Sequence, residues 1–268
     1  MAVAASITAP LTESIHYFRH LSPEKQAASG LLAAASLPLL YHIFALIRQD
    51  YRGWMALGPG GLPYNVRGWL INSALRPLGR ETKGTDCYDR EKLRSMGGDV
   101  GNKGWLGDLP VRTGSRPYIG PWMAPHRQMD QLASPELNKA LRLRFDDIIS
   151  KNRNIITTKL SVIERQGEAI FIADDIPSPH AIAAGVRREI THIHERNDFS
   201  LHCTLSPEDA KLVVLNGWGE RHPLAGSILF STCYTMIYAP RNEEELDVVC
   251  RIVCASIAFM TGGKDVNF

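Results

Sequence analysis

The chain has 268 residues, 44% of them hydrophobic, which is enough to bury one large core with or without an appended segment. Its 30 basic and 28 acidic residues leave a formal net charge of +2. No basic run interleaved with aromatics occurs, which argues against a nucleic-acid partner. Five cysteines, Cys87, Cys203, Cys233, Cys250 and Cys254, form no C-x-x-C pair and no disulfide framework, and there is no Asn-x-Ser/Thr sequon. Both absences lean towards a domain in a reducing compartment.

Residues 1–29 form a leader whose charges, Glu13, Arg19, Glu24 and Lys25, place the first apolar run too deep for a signal peptide. That run, residues 30–47 (G-L-L-A-A-A-S-L-P-L-L-Y-H-I-F-A-L-I), has no formally charged side chain. About 20 apolar residues cross a hydrocarbon core, so the segment reads as a single membrane anchor. The alternative is a buried core helix, which Pro38, Tyr41 and His42 favour. Arg19 and Lys25 on one side face Arg48 and Arg52 on the other, so flanking charge does not set an orientation.

Residues 48–133 are rich in Gly, Pro and Arg and read as irregular, wrapping chain. A short helix is expected in N-V-R-G-W-L-I-N-S-A-L, ending before Pro77. Arg112, Arg116 and Arg127 line an anionic pocket or lie on solvated surface, and each taken singly reads as surface. Residues 134–268 are expected to hold the catalytic domain. Ser134 caps a helix with Pro135 at its first position and a stripe of Leu137, Leu141, Phe145, Ile148 and Ile149.

Strands are expected over residues 155–165 and, after a Gln166-Gly167 turn, over E-A-I-F-I-A. A loop leads to a strand from Val186 to Glu195, whose hairpin partner is F-S-L-H-C-T-L. Ser206 caps a second helix closed by Gly217. A strand, C-Y-T-M-I-Y-A-P, and a helix capped by Asn242 complete the chain, the helix burying Leu246, Val249, Cys250, Val253 and Ile257. Strands clustered before helices predict an α+β fold, a mainly antiparallel sheet with helices packed on one face, preceded by the hydrophobic anchor helix.

Four of the nine histidines fall between Arg188 and Gly226. His192 and His194 share one strand face by alternation, with Ile190; Glu189 falls on the opposite face. His202 joins them only if the hairpin register puts its polar side on theirs, which sequence does not fix. The three rings hold a metal ion, or do metal-free acid/base chemistry on an acidic phenol or enol, or act as hydrogen-bonded structural residues. His222, before Pro223, has an extended backbone that aims it back at the sheet or merely ends a loop.

The motifs R-E-I-T-H-I-H-E-R-N-D-F-S-L-H, G-W-G-E-R-H-P-L-A-G and Y-A-P-R-N-E-E-E, in this order and spacing, resemble the fungal luciferase domain. The resemblance extends upstream through R-Q-D-Y, N-V-R-G, C-Y-D-R and D-L-P-V-R-T-G-S-R-P to the apolar N-terminal segment. It implies a membrane-associated oxygenase that needs neither flavin nor nicotinamide, with O2 as co-substrate. In luminous members the substrate is hydroxyhispidin, an α-pyrone with a phenolic arm. The chain has no Gly-rich dinucleotide fingerprint, in keeping with that chemistry. Between Gly226 and Tyr238 it departs from the Pro/Gly-rich stretch of luminous members, and the domain also occurs in fungi that do not glow.

The expected function is O2-dependent oxidation of a phenolic, α-pyrone or polyketide-like small molecule. One alternative is a non-oxidative cyclase or isomerase of secondary metabolism working by histidine acid/base chemistry. Another is a non-catalytic, membrane-tethered binding module. The expected catalytic residues are His192, His194, His202 and His222, and the expected substrate-binding residues are Arg221, Arg241, Trp218 and Tyr238. No cofactor is expected, the alternative being one divalent metal ion on His192, His194 and His202. The expected location is the endoplasmic reticulum membrane, with the catalytic domain facing the cytosol.

Overall fold

In the computed structural model, which describes Glu13, His16, Tyr17 and residues 19–268, the first long element is helix α1, Pro23–Ala56. Of the expected leader, residues 1–12, 14, 15 and 18 lie outside the described residues. Helix α1 is longer on both sides than the expected 30–47 and runs through Pro38. It is long and apolar enough to cross a membrane. Leu31, Leu32, Leu37, Leu40 and Phe44 are exposed, so it is not the buried core helix held as the alternative. The chain divides into two compact units at Gly53/Trp54, and the second, Trp54–Phe268, contains both the wrapping segment from Trp54 onward and the expected catalytic domain.

Helix α2, Val66–Leu75, starts at Asn65, whose side chain accepts from the backbone N–H groups of Arg67 and Gly68. After the short α3, Glu91–Met96, regular structure resumes at α4, Pro135–Lys151, where Ser134 accepts from the Leu137 N–H as expected. The remaining elements are β1 (Ile156–Leu160), β2 (Glu168–Ile172), α5 (Ala181–Gly185), β3 (Glu189–Ile193), β4 (Leu201–Thr204), α6 (Pro207–Leu215), β5 (Gly219–Arg221), β6 (Tyr234–Ile237) and α7 (Glu243–Met260). Ser206 caps α6 and Asn242 caps α7, and all five expected residues of α7 are buried.

Three boundaries differ from expectation. The first strand stops at Leu160, because Ser161 to Glu164 turn back to bond Glu189. The histidine strand begins only at Glu189, because Arg187 and Arg188 take positive φ after the unexpected α5. Gly219–Arg221 forms a short strand that three residues are too few to announce.

The six strands form one antiparallel sheet in the order β1-β2-β3-β4-β6-β5. One face carries Ile170, Ile172, Ile193, Leu201, Cys203 and Ile237 into the core shared with the buried sides of α4 and α7. Along the other face a row of paired residues crosses five strands: Ala169, His192, His202, Met236 and Glu220. This second face is covered by irregular chain. Ile119 bridges Gln128, the Gln128 N–H bonds Asp198 and the Gly61 N–H bonds the carbonyl of Glu164, which lays the wrapping segment over the histidines.

Candidate active site

The β3–β4 register pairs His192 directly with His202, so the polar side of the second strand does match the histidine side of the first. His194 follows the end of β3 and pairs through its N–H with the carbonyl of Ser200. The ring centroids of His192, His194 and His202 lie 4.9 to 5.4 Å apart, and all three residues are buried. His222, beyond β5, brings its ring to 5.6 Å from His202. A fifth histidine, His126, comes from the wrapping segment and lies 5.5 Å from His202 and 5.0 Å from His222.

Carboxylates set the proton positions. Between Ile170 and Phe171 the β2–β3 register slips by one residue, and Ile190 has no partner on β2. This bulge moves Glu189, expected on the far face, to the histidine face, where Phe171 pairs with it. Its carboxylate lies 2.6 Å from Nδ1 of His192 and also accepts from Ser161 Oγ and the Val162 N–H. Burial alone would raise the Glu189 carboxyl; the hydrogen bonds from His192 and Ser161 outweigh it and hold the group below the ordinary range. A carboxylate only accepts, so Nδ1 of His192 carries a proton and Nε2 is turned away from Glu189. That Nε2 is buried and has no partner.

His194 is held in the same way. Its Nδ1 lies 2.9 Å from Ser200 Oγ and 3.3 Å from Asp198 Oδ1, while Ser200 donates to the other Asp198 oxygen. Its Nε2 is 3.1 Å from His202 Nδ1, and His202 Nε2 is 3.3 Å from His126 Nδ1. His126 Nε2 in turn lies 3.7 Å from Glu220, which accepts from the Tyr238 hydroxyl at 2.9 Å. The rings thus form a chain with a carboxylate at each end.

Burial and then the neighbouring imidazoles push His202 and His222 well below the ordinary histidine range. Burial and Arg127 lower His194, against the opposing pull of Asp198. These three rings are therefore neutral at neutral pH, each with one N–H and one nitrogen lone pair that accepts a hydrogen bond or a proton, and are not fixed cations. His222 accepts the Leu224 N–H on Nδ1, which puts the proton of the neutral ring on Nε2. Behind the cluster, Arg127 is buried against Glu164 and lies 3.6 Å from Asp198, so it is not the surface residue expected. Arg112 is likewise buried, against Glu245, and Arg116 donates to the carbonyls of Gly219 and Val214.

A cavity of about 260 Å³ lies against this face, lined by His126, His202 and His222 together with Leu224, Phe230 and Tyr234. Tyr234 stacks on His202 with centroids 4.8 Å apart, and Phe230 stacks on Tyr234 at the same separation. His192 and His194 lie behind His202, outside this lining.

The expected binding residues fare differently. Arg221 pairs with Thr235 on the opposite face of the sheet, bonds Glu81 and the Gly84 carbonyl and lies over the Tyr88 ring. Trp218 donates to the Pro110 carbonyl within the core, and Arg241 holds Glu245 and the Thr113 carbonyl. The structure brings none of these three to the histidines; Tyr238 reaches them only through Glu220. His126, Ser200, Phe230 and Tyr234 were not singled out in the sequence. Glu189 was expected on the opposite face, and Asp198 was given no role.

A family model described as the Luciferase domain matches residues 187–256, which span β3 to most of α7. A protein named Luciferase from Armillaria mellea is 39% identical over 233 residues, covering 81% of this chain and 83% of its own. The protein of the same name from Neonothopanus nambi is 39% identical over 233 residues, covering 81% and 82%. That from Armillaria gallica is 38% identical over 231 residues, covering 81% and 83%. No solved structure is significantly similar.

Proposed function

The chain belongs to the fungal luciferase family, and on that footing we propose that it oxidises a phenolic or α-pyrone small molecule with O2, without flavin or nicotinamide. The observation that carries this reading is the cavity of about 260 Å³ whose wall joins three histidines to two stacked aromatic rings. That volume is at the small end of ligand cavities and suits one or two planar rings better than a dinucleotide.

In this reading the substrate ring lies along Phe230 and Tyr234. The neutral cluster, at His202 backed by His194 and His192, accepts the proton of an acidic phenol or enol. The Nε2–H of His222 faces the oxygen that becomes negative. Deprotonation makes the ring electron-rich, and O2 adds to a ring carbon. A carbon–oxygen bond forms as the O–O π bond breaks, the ring loses two electrons to oxygen, and the resulting peroxide takes back the proton held by the histidines. Leu229 and Phe230, from the segment that departs from the luminous pattern, line the same cavity, so substrate choice is read there.

The apolar helix α1 supports a membrane-anchored enzyme, and five free cysteines suit a catalytic unit in a reducing compartment such as the cytosolic side of the endoplasmic reticulum. Oxygen uptake by purified full-length protein tests the reaction. A phenol-bearing α-pyrone is expected to give stoichiometric O2 consumption. Turnover of that compound with no O2 consumed would instead select cyclase or isomerase chemistry.

A further inference from the structure

We propose that His192, His194 and His202 bind one divalent first-row transition-metal ion, with Glu189 and Asp198 orienting two of the three ligands. The inference rests on reading this face as the active site and adds a resident ion to it. With the ion bound, the lone pairs of the trio are committed to it, and the ion's charge rather than a free His202 lone pair would favour the ionised phenol or enol. The candidate ligand nitrogens of the trio lie within 4.8 Å of one another, and one pair, His194 Nε2 and His202 Nδ1, is already at 3.1 Å. Ion binding moves the His202 proton from Nδ1 to Nε2, which faces His126 Nδ1. Ligands about 2.0–2.1 Å from a tetrahedral ion sit roughly 3.3 Å apart, so the widest pair of the trio would close by at most about 1.5 Å on binding one ion.

Three further observations point to a cation. First, Nε2 of His192 is buried, points away from Glu189 and has no hydrogen-bond partner, and a buried polar atom left unmet is costly. Second, His192 gives Nδ1–H to the buried Glu189 carboxylate, and His194 bonds through Nδ1 to Ser200 Oγ, which donates to the buried Asp198; such second partners fix ring orientation and tautomer in metal-ligating histidines. Third, Glu164, Glu189 and Asp198 set three carboxylates around the rings against the single guanidinium of Arg127, leaving two negative charges that a divalent ion balances. An all-imidazole set suits zinc, copper, iron or nickel and disfavours magnesium and calcium.

A second trio, His126, His202 and His222, also brings its nitrogens within 4.8 Å. It is not the site. His222 accepts the Leu224 N–H on Nδ1, so its Nε2 carries a proton and offers no lone pair. His202 belongs both to the first trio and to the cavity wall, which sets the proposed ion next to the substrate.

The test is Co2+ binding to purified full-length protein after chelator treatment, followed by elemental analysis and ligand-field absorption. One Co2+ per chain with nitrogen-ligand bands is expected. The bands disappear in the His192→Ala/His194→Ala double variant, and Glu189→Gln weakens Co2+ affinity about 10–100-fold. His222→Ala leaves the Co2+ affinity unchanged. Wild-type protein needs no substitution to fail: Co2+ binding no stronger than in the double variant overturns the proposal. Oxygen uptake on the same preparations separates the two readings. Uptake by protein that binds no metal sinks the ion and keeps the oxidation, whereas Co2+ binding without uptake under any loading does the reverse.

Discussion

The two faces of the sheet come from the same strands, alternate residue by alternate residue, and are equally buried, yet they are built on opposite principles. Leu201 and Cys203 are fully buried on the helical face, and between them His202 is 3% exposed on the other. The helical face is closed by α4 and α7 and holds itself together by apolar area, about 25 cal/mol per Å² removed from water. The histidine face is closed by irregular chain, and its burial is tolerable because carboxylates, hydroxyls, N–H groups and neighbouring rings meet most of its polar atoms. One face contributes stability without chemistry; the other spends polar burial to hold neutral bases beside a cavity. The enzyme needs the first to carry the second.

The largest expected effect breaks the comparison at adjacent residues. His202→Ala is expected to cut oxygen uptake per folded molecule about 10²–10⁴-fold, while the His194 and His126 nitrogens it leaves unmet cost about 1–3 kcal/mol in urea unfolding. Leu201→Ala next to it is expected to cost about 2–5 kcal/mol in urea unfolding while turnover per folded molecule stays near wild type. The reverse pattern would erase the distinction between the faces. Arg127→Met sharpens it from the polar side. It leaves Glu164 without its buried partner and Asp198 without nearby positive charge, and should cost about 3–5 kcal/mol.

Smaller effects follow with distance from the rings. Phe230→Ala removes one stacked partner, worth about 0.5–1.5 kcal/mol, and should raise KM about 2–10-fold with kcat nearly unchanged. Arg241→Ala, which breaks a partly exposed pair with Glu245 away from the cavity, should leave turnover unchanged and cost about 1 kcal/mol or less.

The smallest effect is a pH effect at His180, which caps α5 by accepting the Ala183 N–H and also bonds the Phe259 carbonyl. Burial holds His180 below its ordinary value of 6.5, against the Phe259 bond. Below that value the unfolded chain takes up a proton that the folded ring resists, so this contribution to stability is full above about 6.5 and is lost as pH falls. His180→Asn keeps a capping side chain and should flatten that part of the stability–pH curve, read from urea midpoints across the range.

The helical face was the legible one, and for the same reason that it does no chemistry. Ser134, Ser206 and Asn242 announce their helices by local capping, and the stripes of α4 and α7 repeat with the helix period. On the histidine face, alternation correctly placed His192 with His194 and gave His202 a polar side. The pairing of those sides was decided by a turn geometry that alternation does not encode. Glu189 was hidden by the bulge at Ile190, which reverses the face of every residue before it. His126 was hidden because it arrives from irregular chain roughly seventy residues upstream, where no period marks a buried residue. Arg221 misled because a basic residue beside a histidine motif looks like an anion site; strand β5 turns it to the opposite face.

The most direct measurement is a structure of the protein with a non-oxidisable phenol-bearing α-pyrone. The account predicts the ring against Phe230 and Tyr234, with its acidic oxygen within hydrogen-bonding distance of His202 or His222. A ligand seated instead in the surface groove formed by Pro135, Arg142, Leu143 and Phe199, with the histidine cavity unfilled, would contradict it.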